Sequence, residues 1–284
     1  MWLLLAFLSA VAFGLRGIMY QRTSKKPLDR NLMLFGVYVT GVVVSVAAIM
    51  IVRPEWSYAN LIGIAMGVLS YIANASMYKG YAEGKASLVA ILTALSPLIV
   101  VSGAYFMFAE KLSLPQSAAF FVILAGIVMI RYSNDLSLKN LQGVQWALMA
   151  TVMFGFNDLF SKLAVYLQGE VFPTLFYMFI VGSLLFLLTW LRERRAGIFL
   201  GERWSIRKTV GWGMLVGITN ISGMVLLLYA FASGVTGLVS AASATNVLII
   251  IFYARIFLKE KFKPMEIAGI ACAFIGIMLL RLFA

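Results

Sequence analysis

The chain lacks histidine altogether and carries a single cysteine, Cys272. Those two absences remove His-based acid/base chemistry, intramolecular disulfides and the usual zinc ligand sets. Acidic residues are also scarce, 11 against 23 Lys and Arg, and charged residues together make up only 12% of 284 positions. No Walker A sequence is present, so ATP hydrolysis within this chain is disfavoured, and no cofactor is expected. With 62% hydrophobic residues and a mean hydropathy of +0.96, the chain has too little polar surface to coat a globule in water. It belongs in a bilayer. There, backbone N–H and C=O groups must be satisfied within a helix or a closed barrel.

What is present is a series of apolar runs. They cover about 2 to 20, 32 to 52, 59 to 81, 86 to 109, 115 to 132, 143 to 167, 171 to 191, 209 to 232, 236 to 258 and 264 to 283. Runs of about 20 residues fit membrane helices, not the roughly 10-residue alternating strands of a barrel. The first run has no Lys or Arg ahead of it and resembles a later one, so it is read as a retained span instead of a secretory signal. The formal charge of +12 would suggest nucleic acid in a soluble protein, but here the bases sit in connections between apolar runs, and no nucleic-acid partner is expected. Seventeen Lys and Arg fall after the odd-numbered runs and three after the others. The positive-inside rule then puts the odd connections in the cytoplasm and both termini outside.

The stretch from Met77 to Arg131 is written twice. At a shift of 150, Glu110-Lys111 falls on Glu260-Lys261, Gly126-Ile127 on Gly276-Ile277 and Arg131 on Arg281; 14 of the 55 pairs are identical, which makes the chain a duplication. Phe13-Gly14-Leu15-Arg16 aligns with Phe154-Gly155-Phe156-Asn157 at a shift of 141, pairing the first run with the sixth. The predicted fold is therefore an all-α membrane protein of ten transmembrane helices, as two inverted five-helix repeats (5+5), residues 1–140 and 141–284. An odd number of helices per repeat makes the second half enter the membrane from the opposite side.

Phe108-Ala109-Glu110-Lys111-Leu112-Ser113-Leu114-Pro115 with Ile123-Leu124-Ala125-Gly126-Ile127 resembles the junction of helices 4 and 5 in EamA-type transporters of the drug/metabolite transporter superfamily. Leu258-Lys259-Glu260-Lys261-Phe262 and Phe154-Gly155-Phe156-Asn157 carry the same likeness in the second half. The resemblance implies secondary transport through a central cavity in the inner or plasma membrane, often outward. Two features depart from the family pattern: Arg16 in a helix that is usually uncharged, and termini assigned outside.

Charges inside a span cost about 2.5 to 3.5 kcal/mol on insertion scales and usually face a cavity or a partner. Asp158 has two readings, an i,i+4 ion pair with Lys162 or a cavity-facing cation site and proton carrier. Arg16 either snorkels to the interface or meets a substrate carboxylate. Together the two would suit a zwitterion such as an amino acid. Asn74, Asn157, Asn220 and Asn246 offer amides to orient a polar ligand or to bridge helices. Tyr78, Trp146 and Tyr177 are candidates for an aromatic wall, with packing as the alternative. Glu110 and Glu260 read as structural or gating groups, and Pro97 as a kink in the fourth helix. The resulting expectation is a proton-coupled exporter of a small polar metabolite, monomeric or homodimeric. The competing classes are a lipid-head-group flippase and a non-transporting assembly subunit.

Overall fold

The computed structural model describes residues 1–84, 86–133, 143–197, 204–257 and 264–283. Glu260, Lys261 and the interior of the 134–142 connection lie outside the described residues. Among the described residues there are twelve α-helices and no strand: α1 (Trp2–Ser24), α2 (Arg30–Val52), α3 (Ile62–Glu83), α4 (Ala86–Thr93), α5 (Ser96–Phe108), α6 (Leu114–Ser133), α7 (Val144–Tyr166), α8 (Val171–Arg195), α9 (Ile206–Ser233), α10 (Thr236–Ala244), α11 (Asn246–Phe257) and α12 (Pro264–Phe283). Seven segments, with α10–α11 counted as one, are long and apolar enough to cross a membrane, and shorter apolar helices accompany them.

The two extra helices arise because the fourth and ninth apolar runs are each interrupted. Leu95 N–H reaches back only to Leu92 O at 3.1 Å, and Leu98 N–H to Leu95 O at 3.1 Å. Thr245 N–H bonds Ala242 O at 3.3 Å, and Leu248 N–H bonds Thr245 O at 2.9 Å, one repeat later. Both runs tighten into the same i→i−3 turn. Pro97, at the start of α5, lacks the donor that would continue α4. The kink expected there is thus a full interruption, and its twin at Thr245 occurs with no proline, the hydroxyl of Thr245 bonding Ala242 O at 2.7 Å.

Helix pairing survives exchange of the halves. α1 packs on α9 as α7 packs on α3; α2 packs on α9 as α8 packs on α3; α2 meets α8, and α6 meets α12. Glycines permit the closest of these approaches. A Cβ on Gly36 would lie 2.6 Å from Val210 O and 3.1 Å from the Cα of Gly213, so α2 and α9 touch backbone to backbone. On the repeat-related pair, a Cβ on Gly67 would lie 2.7 Å from Met178 O of α8.

Between these helices lies a core of large side chains, among them Tyr20, Met33, Tyr38, Met66, Phe179, Phe186 and Phe231. The outside is apolar too: Val43, Met50, Leu184, Leu188, Leu215, Ile218 and Phe252 are exposed. Such a surface is compatible with lipid tails and not with water. This is a multi-pass membrane protein.

The connections sort into two ends. At one, Lys25 donates to Ala82 O, Trp204 N–H to Pro27 O and Asn31 to Glu193, which brings the base-rich odd connections together. At the other, Asn60 donates to Glu170 O, and Glu110 meets Thr236.

Candidate functional site

Both interruptions open onto one cavity. Thr93, Ala94 and Ser96 line it from the α4–α5 break, and Ser243, Ala244 and Asn246 from the α10–α11 break. Breaking a helix here exposes backbone groups that side chains or a ligand must satisfy, the arrangement by which discontinuous helices build midplane sites in transporters. Phe13 and Arg16 of α1, Ser70 and Met77 of α3, Phe154, Asn157 and Asp158 of α7, Met224 and Leu227 of α9, and Ser240 of α10 complete the wall. The cavity holds about 60 Å³, room for a few waters.

Arg16 is buried, not snorkelling. Its Nη1 donates to Asn220 Oδ1 at 2.6 Å, and its guanidinium carbon lies 4.5 Å from the Phe13 ring centre and 5.5 Å from that of Phe154. Aromatic faces substitute for part of the lost hydration. Nε of Arg16, Nδ2 of Asn220 and Oδ1 of Asn157 are buried with no hydrogen-bond partner among the described residues. An unsatisfied buried polar atom of this kind costs about 1 to 3 kcal/mol, which a ligand or water would offset.

Asp158 faces α10, where Ser240 donates to its Oδ2 at 2.7 Å. The i,i+4 pair with Lys162 does not form. The ammonium of Lys162 lies one turn nearer the helix end and is taken by three oxygens: Phe231 O at 3.0 Å, Gly234 O at 3.3 Å and Glu110 Oε1 at 3.4 Å. Two of these are the free carbonyls at the C-terminus of α9, where a cation is favoured. Asp158 is thereby left to the cavity.

The remaining residues singled out from sequence fall into three places. Asn246 lines the cavity, and Asn220 reaches it through Arg16. Asn74 and Tyr78 do not line it. Asn74 is fully buried in a network, accepting from Tyr20 OH at 3.2 Å and donating to Tyr38 OH at 3.0 Å and to Ser70 O at 2.9 Å, while Tyr38 and Ser70 share a 2.6 Å bond. Tyr78 packs edge-on against Tyr20, ring centres 5.5 Å apart. Trp146 and Tyr177 lie at the ends instead. The Trp146 indole donates to Glu83 at 2.9 Å with the Lys79 ammonium over its ring, and Tyr177 packs on Trp56 at 5.8 Å.

Glu110 has a defined role. Its carboxylate accepts from Thr236 N–H at 2.7 Å and Thr236 Oγ at 2.8 Å, satisfying the first turn of α10 from the far end of α5. Lys162 closes this latch. Ser240, Ser243 and Thr93 were missed as site residues, since small polar residues read as packing; Lys162 and Thr236 gave no sign of meeting Glu110.

The profile of the EamA-like transporter family matches this chain twice, over residues 1–132 and 141–282. The chain belongs to that family. EamA-like proteins are membrane transporters of the drug/metabolite transporter superfamily, a family that is generally non-enzymatic. An uncharacterized protein of Methanocaldococcus jannaschii is similar, 34% identical over 71 residues, which is 25% of this chain and about half, 52%, of that protein. A protein known from a crystal structure shares the fold with a TM-score of 0.73 at 15% identity, over 100% of this EamA-like chain and 99% of the other.

Proposed function

We propose that this protein is a secondary transporter of a zwitterionic metabolite, an amino acid or close relative, working by alternating access in the cytoplasmic membrane. The reading is supported above all by the buried cavity between two interrupted helices, with a cation and a carboxylate on separate walls. Arg16 Nε and Asn220 Nδ2 offer free donors to a substrate carboxylate. Asp158 and Asn157 Oδ1 offer acceptors to its ammonium. Ser243, Thr93 and Asn246 supply further polar contacts.

In this reading ten spans form two inverted units, residues 1–140 and 141–284, with the base-rich end in the cytoplasm and the termini outside. Rocking of one unit against the other exposes the cavity to each side in turn. Transport runs outward, as the family resemblance favours, and Asp158 carries the coupling proton. A carboxylate in low dielectric is a suitable carrier because protonation removes the cost of burying its charge.

The test is flux in proteoliposomes with labelled amino acids, amines and nucleobases, with and without a pH gradient. Amino acid flux that rises with the gradient is expected. Asp158→Asn should retain exchange but lose gradient-driven accumulation; full accumulation by that variant would exclude Asp158 as the carrier. Flux of amines alone, insensitive to Arg16→Gln, would overturn the zwitterion reading.

A further inference from the structure

A second cavity lies at the base-rich end, away from the central site. It is a groove of about 540 Å³ lined by Arg22, Lys25 and Lys26 from the end of α1, Trp204 and Trp212 from the approach to and first turns of α9, and Tyr253 of α11. No acidic side chain lines it among the described residues. Arg22 is fixed there, its Nε donating to Tyr253 OH at 2.7 Å and its guanidinium lying 4.9 Å from that ring centre. The Lys26 ammonium has no partner among the described residues. Three cations in one groove, without a counter-ion among the described residues, attract an anion.

The face of α1 that brings Arg22 to the groove is apolar along the rest of the helix. Leu4, Leu8 and Leu15 are exposed and Val11 and Ile18 half-exposed, and at helical spacing these five fall in line with Arg22 on one face of α1. Exposed Leu215 and Ile218 on α9 and Phe252 and Ile256 on α11 are apolar as well. A free phosphorylated metabolite has no use for such a track, whereas an acyl chain does. Trp204 and Trp212, with ring centres 6.3 Å apart, are the residue type that settles at the headgroup level.

We propose that this groove binds an anionic phospholipid, its phosphate among Arg22, Lys25 and Lys26 and one acyl chain along the outer face of α1. The site joins α1 of one unit to α9 and α11 of the other, and rocking would move the two units relative to one another, so a bound lipid would bias which conformation is populated. The groove would recognise its lipid by the same chemistry whichever substrate the central cavity carries.

Native mass spectrometry of the full chain in neutral detergent, with added phosphatidylglycerol or phosphatidylcholine of identical acyl chains, reads the site directly. Retention of one phosphatidylglycerol and not of phosphatidylcholine is expected. Lys26→Gln should weaken retention about five-fold and Lys25→Gln with Lys26→Gln about 25-fold, since a base near an anionic headgroup contributes about a factor of five. Lys79→Gln, at the same end but outside the groove, should change nothing. Because Lys25 and Lys26 are exposed, these variants should fold, which unchanged melting in detergent would check. Equal retention of both lipids, loss in Lys79→Gln to the same extent, or full displacement by equimolar glycerol phosphate would overturn the proposal, the last by making it a soluble-anion site.

Discussion

At the base-rich end, Tyr20, Tyr38, Ser70 and Asn74 form a neutral hydrogen-bonded cluster against Phe179 and Phe186; at the other end, α5, α7 and α10 are held by Glu110, Lys162 and Thr236. Tyr20, Tyr38 and Asn74 are fully buried and Ser70 borders the central cavity, so parting the cluster strands polar groups, at about 1 to 3 kcal/mol for each left without a partner. It resists opening piecemeal. The charged latch is 13% exposed at Lys162 and 21% at Glu110, next to the solvent that would rehydrate both ions once they separate. A contact of that kind holds firmly and still releases reversibly. The repeat-related positions show how one duplicated frame acquired two unlike sets of contacts: Tyr20 corresponds to Ser161, Gln21 to Lys162, and Asn74 to Met224.

Three substitutions probe this contrast. Glu110→Ala removes the cap of α10 and the partner of Lys162 together, which should favour opening at that end by about 2 to 3 kcal/mol. In a Cys272→Ala background, Ser243→Cys should then react about 30 to 150 times faster with an impermeant thiol reagent applied from the Glu110 side. An unchanged rate would mean the latch does not hold this end shut. Asn74→Ala should act differently, lowering stability by about 2 kcal/mol without selective exposure of the cavity, read as a lower melting temperature in detergent. If it instead raised Ser243→Cys labelling from the basic side at constant stability, the two ends would be alike in kind.

The smallest effect is expected from Pro97→Val. Since the α10–α11 run breaks at Thr245 with valine at the equivalent position, Val247, the α4–α5 break should persist and stability should move by about 0.5 kcal/mol or less. A large rise in stability would show that proline alone maintains the break, and that the halves reached the same shape by different means.

Much of the frame was readable beforehand. The last run was expected over about 264 to 283 and α12 spans Pro264–Phe283; the first was expected to about 20, and α1 continues one turn further, to Ser24. Helix extent follows from apolar length and loop punctuation, which are local properties. Arg16 and Asp158 were legible as charges within spans, each with a cavity reading beside another, because a charge in a span has few places to go. The break at Thr245 was not legible, as no Gly or Pro marks it, and the choice between the two readings of Asp158 was not legible either, because a neighbour at i,i+4 is visible in sequence while the carbonyls 69 and 72 residues away that take Lys162 are not.

The chain by itself determines a duplicated, lipid-embedded helical frame with a base-rich end, because apolar length, repeat spacing and loop charge are written residue by residue. Only the tertiary structure decides that Arg16 turns to Asn220, that Asp158 turns to Ser240 while Lys162 turns to Glu110, and that Trp146 and Tyr177 lie outside the cavity. Those choices depend on which helix faces arrive opposite one another and on which buried atom most needs a partner, and both are settled only when the helices pack.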